Sequence, residues 1–212
     1  MLGNLLNKLK GNSRSFKGSE NYWIKRYNAG GNSGNGSYNQ LAEFKAEVLN
    51  EFVKKHEIKN VIEFGCGDGN QLKLASYPEY IGYDVSPVAV SVCKEMFELD
   101  SSKAFKLMSE YAEEIATLSL SLDVLYHLVE DDVFNEYMNR LFDLSEKFVI
   151  IYSSNTNEKE QHAAHVRHRA FSEWVDQNKP DFKLCEFIKN KYPDTGDNKI
   201  SSFADFYIYE KC

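Results

Sequence analysis

Apolar residues occur in short bursts along the chain, and the period of each burst predicts an element. Leu41, Phe44, Val48, Leu49, Phe52 and Val53 recur at helical spacing, with Glu43, Lys45, Glu47 and Lys54 around them. That pattern predicts a helix from Leu41 to His56. Tyr22, Trp23, Ile24 and Tyr27 mark one face of a shorter helix over Glu20 to Tyr27. Val61 to Cys66 is an apolar run ending in glycines, and Glu79 to Val85 is another, ending in Asp84. Both read as strands, with a short helix over Asn70 to Ser76 between them. Ser86 and Pro87 offer an N-cap followed by proline at the first helical position, so a helix is expected from there to about Leu99. Further strands are predicted at Lys103 to Met108, Leu122 to Leu128 and Phe148 to Tyr152. Helices are predicted at Glu110 to Leu118, Asp131 to Ser145 and Glu158 to Asn178. Phe182 to Lys189 and Phe203 to Tyr209 read as two final strands, with the turn-rich Pro193 to Asn198 between them.

Strand and helix therefore alternate until the end, which implies an α/β fold: a mostly parallel sheet with helices on both faces. With no helix between the last two strands, the final strand is expected to return antiparallel as a hairpin partner. The first 20 residues are polar and read as a loosely held arm. Gly30 to Ser37, GGNSGNGS, is too rich in glycine for a regular helix. It fits either a flexible linker or a mobile loop that closes over a ligand. Residues 1–40 are thus an arm and candidate lid, and residues 41–212 one domain.

Composition narrows the function. The 212 residues carry 25 Lys+Arg against 32 Asp+Glu, a net charge of -7, which argues against a nucleic-acid backbone as the main partner. No apolar run approaches ~18 residues, so no membrane span is expected. Met1 to Lys10 lacks the apolar stretch of an export signal, and cytoplasmic residence is the expectation. Cys66, Cys93, Cys185 and Cys212 are scattered without a CxxC pair. Neither a metal site nor a disulfide framework follows; free, mostly buried thiols do.

Candidate chemistry starts at Glu63-Phe64-Gly65-Cys66-Gly67-Asp68-Gly69, directly after the first predicted strand. Glycines there let the backbone turn sharply and let a ligand approach closely. In an open α/β sheet, ligands bind past the carboxyl ends of the strands. The spacing is not that of a dinucleotide fingerprint, and no G-K-[ST] follows as in a P-loop. Glu63 and Asp68 are poor neighbours for a pyrophosphate and suit a ligand with a cationic end, such as S-adenosylmethionine. Asp84, fifteen residues after Gly69, is placed to accept both hydroxyl protons of a ribose.

With these residues the chain resembles the class I S-adenosylmethionine-dependent methyltransferases over roughly residues 40–212. The resemblance implies a Rossmann-like sheet of seven strands, the last antiparallel. It also implies S-adenosylmethionine as methyl donor and S-adenosylhomocysteine as product. By that resemblance Glu63, Gly65, Cys66 and Gly67 lie along the methionine part, Asp84 binds the ribose and Val85 lies against the adenine. Met108, Ser109, Glu110 and Tyr111 sit near the adenine edge, and Asp123 to His127, including Tyr126, face the sulfonium and the acceptor. The block Tyr22 to Lys45 resembles the pre-sheet region of bacterial enzymes of sugar and polysaccharide pathways. This implies a lid formed by Tyr22, Trp23, Arg26 and Tyr38.

The [DN]-P-P-[YF] motif of adenine-type N-methylation is missing at the fourth strand. His127 is the candidate base for an acceptor hydroxyl, or else a hydrogen-bonding partner of the donor. Gln161 to Arg169 holds three histidines at threefold spacing with two arginines. Read as helix, it puts His165 and Arg169 on one face, and His165, Arg167, His168 and Arg169 suit an anion. With Tyr152-Ser153-Ser154-Asn155 nearby, the expected acceptor is a hydroxylated, anionic small molecule: a sugar or phosphorylated metabolite of surface-polysaccharide synthesis. Methylation of nitrogen in a small molecule or protein, and a non-catalytic donor-binding protein, are the alternatives.

Overall fold

The computed structural model describes residues 16–158 and 163–212. Helix α1 (Ser19–Asn28) precedes a glycine-rich loop that ends in a single 3-10 turn at Asn35–Ser37. Helix α2 (Asn39–Lys55) leads into β1 (Asn60–Phe64), followed by a 3-10 turn at Leu72–Leu74, β2 (Glu79–Asp84), α3 (Pro87–Met96) and β3 (Lys103–Leu107). Then come β4 (Ala116–Leu122), α4 (Asp131–Asp143), β5 (Ser145–Ser153), α5 (Phe171–Asn178), β6 (Phe182–Ile188) and β7 (Asp205–Lys211). Ser86 caps α3 as expected, its hydroxyl accepting from Ala89 N.

The strands form one seven-stranded sheet in the order β3-β2-β1-β4-β5-β7-β6. The first five are parallel, and β7 runs antiparallel to both β5 and β6. Strand alternation builds two cores. On one face Val61, Leu118, Leu120, Phe148 and Ile150 meet α2 and α3 through Phe44, Leu49, Phe52, Val90 and Cys93. On the other, Ile62, Phe64, Val149 and Ile151 meet α4 and α5 through Phe134, Met138, Leu141, Phe142, Phe171 and Val175. Central strands buried on both faces need apolar residues at successive positions, which is why β5 reads as a continuous run.

Three expected elements are corrected. The helix over Glu110 to Leu118 and the strand over Leu122 to Leu128 give way to β4 at Ala116–Leu122 and a 3-10 turn at Leu125–His127. Ser119 and Ser121 are buried inside β4, the first donating to Leu141 O and the second paired with Tyr137 Oη, so the strand lacks an all-apolar signature. The long helix over Glu158 to Asn178 shrinks to α5, because Arg167 N donates to Tyr126 O and residues 163–170 follow that loop instead of coiling. Of the cysteines, Cys66 and Cys93 are buried; Cys185 lies on edge strand β6 and Cys212 at the chain end, and both are exposed. Expectations for Met1 to Lys10, and for Gln161 and His162, lie outside the described residues. Among the described residues no helix is long and apolar enough to cross a membrane, and no group of His, Cys, Asp and Glu is placed to hold a metal ion.

Candidate functional site

Past the carboxyl ends of β1, β2 and β4, a cavity of about 470 Å³ lies beneath α1. The glycine loop makes its floor. Gly65 N and Cys66 N both donate to Tyr83 O, at 2.7 and 3.0 Å, folding the loop back over the end of β2. Gly65, Gly67 and Gly69 all have φ between 60° and 83°. A Cβ on Gly67 would sit 2.2 Å from Ser33 Oγ, and one on Gly65 would sit 2.5 Å from Val124 Cγ2. Only glycine satisfies both the turn and the close approach.

Asp84 ends β2 with its carboxylate buried. Oδ2 accepts from Gly67 N at 3.0 Å and Oδ1 from Ser86 N at 2.8 Å. The Val85 backbone N–H also bonds this carboxylate, whose roughly four acceptor sites leave capacity for a hydroxyl donor. Burial pushes its pKa up to about 6, against the pull of those backbone N–H groups. Glu63, on β1, is buried too and accepts from Tyr80 Oη at 2.7 Å. Burial pushes it up to about 7, opposed by Tyr80 and by the nearby Lys45.

The sequence pattern set Lys45 among the solvated positions of α2. It is instead 1% exposed and lines the cavity, paired with Asp123 Oδ2 at 2.6 Å. The signal was present: Lys45 lies four residues from both Leu41 and Leu49, within the apolar stripe. Asp123 carries φ 60° just after β4, and its other oxygen accepts from Tyr126 Oη at 2.8 Å. Gln71, Tyr27 and Tyr137 also line the cavity, with no sequence motif to announce them.

His127 lines the same cavity from the turn after β4. Its Nδ1 lies 3.0 Å from His165 O. A carbonyl only accepts, so Nδ1 carries the proton and Nε2 the lone pair. Burial pushes the imidazole pKa down to about 4, keeping it neutral at neutral pH. Trp23 packs edge-on against it at 4.9 Å.

Helix α1 is fastened at both ends. Ser19 N and Oγ donate to the two Glu130 carboxylate oxygens at 2.9 and 2.5 Å. On the other side, Asp68 of the glycine loop accepts from Ser33 N at 3.0 Å and from Tyr38 Oη at 2.7 Å. Burial alone would raise the Asp68 carboxyl, but these bonds and Asn70 N outweigh it and hold it below the usual range. Tyr27 Oη, 2.9 Å from Ser33 Oγ, completes the seam.

The structure thus gathers Glu63, Gly65, Cys66, Gly67, Asp84, Val85, Met108, Asp123 and His127 around one cavity. Trp23 of the expected lid and Val124 line it too, and the remaining expected residues lie outside its lining. Ser109 and Glu110 are exposed, Glu110 turned back onto Leu107 N. Tyr111 packs on Phe64 and Tyr83. Tyr126 is buried behind Asp123. Tyr22 stacks on His165 at 4.1 Å, Arg26 Nε donates to Asn32 O, and Tyr38 serves Asp68.

The basic cluster needs correction most. It forms no helical fan, and its guanidinium groups hold the loop after His127. Arg167 donates to Val129 O, and Arg169 to Leu128 O and Val129 O. Both pair with Asp131, and His168 Nδ1 hydrogen-bonds Ser154 Oγ. Burial lowers the Arg169 pKa against the pull of Asp131. Carbonyls and a carboxylate thus engage N–H groups of both arginines that were expected to meet an anion.

The sequence matches no protein-family model and no curated protein. Its fold does match solved structures. The N-methyltransferase NodS from Bradyrhizobium japonicum WM9, in complex with S-adenosylhomocysteine, superposes with a TM-score of 0.71 at 13% identity, covering 92% of this chain and 98% of that one. Magnesium protoporphyrin IX methyltransferase (ChlM) from Synechocystis PCC 6803, with bound S-adenosylhomocysteine, gives 0.64 at 15% identity, covering 91% and 98%. The methyltransferase domain of the bacterial protein CtHen1-CN gives 0.61 at 17% identity, covering 81% and 100%. The chain therefore has the Rossmann-like fold of the class I methyltransferases.

Proposed function

We propose that this chain is an S-adenosylmethionine-dependent methyltransferase acting on a small-molecule acceptor. One observation carries the reading: buried carboxylates, Glu63 and Asp84, flank a glycine floor with no room for a side chain, in a cavity at the switch point of the sheet. That donor set rejects a pyrophosphate and suits a ribose beside a cationic centre. When bound, S-adenosylmethionine supplies an electrophilic methyl group on a positively charged sulfur and departs as a neutral thioether.

The residues divide the work. Asp84 accepts from the ribose hydroxyls and Val85 and Met108 border the adenine. Gly65, Cys66 and Gly67 let the backbone approach the methionine end, with Glu63 offsetting its charge. His127, neutral and with Nε2 free of a proton, takes the proton of the acceptor as the new bond forms. Helix α1, through Trp23, excludes water and aligns the acceptor, and alignment supplies much of the rate in such a transfer.

For the acceptor, our reading is an oxygen of a hydroxylated small molecule, with a sugar of surface-polysaccharide synthesis as the specific case. A neutral acceptor suits the cavity better than a phosphorylated one. Carboxylates outnumber cations in the wall, and Lys45 and Arg140 are already paired with Asp123 and Glu136. The same acidic wall favours, as a second reading, an amine acceptor. Fragmentation of the methylated product separates oxygen from nitrogen.

The donor assignment is tested by calorimetry with S-adenosylmethionine and S-adenosylhomocysteine. Binding to the intact protein is expected, weakened by ~1–3 kcal/mol in Asp84→Ala, the scale of lost charge-assisted hydrogen bonds. Equal affinity in a folded Asp84→Ala protein sinks the ribose assignment. A protein that binds both but methylates no acceptor would be a non-catalytic member of the fold.

A further inference from the structure

Residues 163–170 touch two parts of the site that lie far apart in the sequence: helix α1, which roofs the cavity, and the turn that carries His127. Arg167 N donates to Tyr126 O at 2.8 Å, which lays the segment along that turn. The His165 carbonyl accepts from His127 Nδ1 at 3.0 Å. The half-buried His165 ring reaches α1 as well. Tyr22 stacks on it at 4.1 Å, with 9° between the planes. The His127 ring lies near-parallel to it at 5.5 Å, with 15° between the planes. Trp23, next to Tyr22 on α1, packs edge-on against His127 at 4.9 Å.

The residue on which α1 stacks is thus the residue that also holds His127. We propose that His165 is a positioning residue: its ring docks α1 through Tyr22, so that His127 is shielded under Trp23 only while the helix is in place. This rests on the reading of α1 as cover and His127 as base, and adds the residue that ties the two together. A dry imidazole stays neutral and keeps its Nε2 lone pair for the acceptor, whereas a wet one titrates in its ordinary range. Burial disfavours the His127 imidazolium most; the charges of His165 and of Arg26 on α1 add to it, while the His165 carbonyl and Asp123, just after β4, oppose it. Undocking α1 removes the burial and Arg26 together, so release of the helix and protonation of His127 are linked. In the competing account the Glu130 and Asp68 contacts alone hold α1 and the His165 ring packs passively, so removing that ring changes neither.

The experiment uses the full chain without ligand and two substitutions. His165→Ala removes the ring; His165→Phe keeps a ring without its charge, so the difference between the two reads the stack alone. Hydrogen exchange followed by mass spectrometry reads α1, and a pH titration by nitrogen-15 NMR reads His127. Amides of Ser19 to Asn28 are expected to exchange about tenfold faster in His165→Ala and within about twofold of the parent in His165→Phe, with β1 and β4 amides unchanged in both. The acid-dissociation constant of His127 is expected to be about threefold or more lower in His165→Ala than in His165→Phe, because an opened helix lets the imidazolium meet water. Equal exchange of α1 in the two variants, an equal His127 pKa, or faster exchange that reaches β1 and β4 overturns the inference. Failure to bind the donor, or full methyl transfer by His127→Ala, strikes the donor or the base reading instead and leaves both of these readouts as they are.

Discussion

Replacing Lys45 by methionine tests the energetic centre of the site. The side chains fill similar volume, so the change removes a charge and little packing. In the structure the ammonium lies 2.6 Å from Asp123 Oδ2, with the side chains 1% and 13% exposed. It also lies 5.3 Å from the centre of the Tyr152 ring. Removing one partner of a buried pair leaves an uncompensated charge, which costs about 3–5 kcal/mol. Asp123 keeps the Tyr126 hydroxyl and has some solvent access, so the lower end applies: about 3 kcal/mol. For a chain of this size that is a fall of roughly 6–12 °C in Tm. Urea unfolding followed by circular dichroism measures the free energy directly. The double variant Lys45→Met/Asp123→Asn removes the stranded charge, and asparagine tolerates the positive φ at this position. It should recover about 2 kcal/mol of the loss. A single variant within about 0.5 kcal/mol of the parent, or a double variant no more stable than the single, would refute the reasoning.

Two further outcomes follow from the electrostatics and the seam of α1. Glu63 and Asp84 have pKa values raised to about 7 and about 6, so in the free protein they bind protons that the unfolded chain has lost. Their contribution to stability is full below the ordinary carboxylate range and fades as pH rises through 6 and 7. A cationic ligand needs the ionised forms, so S-adenosylmethionine affinity should increase from pH 5.5 to pH 8 with proton release, and that of neutral-sulfur S-adenosylhomocysteine should increase less; calorimetry in buffers of different ionisation enthalpy reads both, and a flat profile for both ligands counts against it. Asp68→Ala removes the acceptor of Ser33 N and Tyr38 Oη, so backbone amides of Ser19 to Ser37 should exchange hydrogen about tenfold faster while β1 and β4 amides are unchanged. Uniformly faster exchange would mean that Asp68 supports the whole domain rather than the seam.

The amino-acid sequence alone determined the architecture and the floor of the site. Periodic apolar runs placed most strands and helices, because a buried face must repeat with the pitch of its element. The glycines after β1 and the carboxylate ending β2 were legible because a sharp turn and a close approach leave few residue choices. The segment 110–128 was misread because β4 alternates leucine with buried serines, and those are tolerable only where α4 supplies a partner, as Leu141 O does for Ser119. Tertiary structure alone decided the rest. It turned Arg167 and Arg169 onto backbone carbonyls, since guanidinium groups go to whichever acceptors the fold brings near. It also buried Lys45 against Asp123, 78 residues away. Local pattern records which face of an element is apolar. Which charge meets which across the core depends on how the elements cross, and the chain states that only once folded.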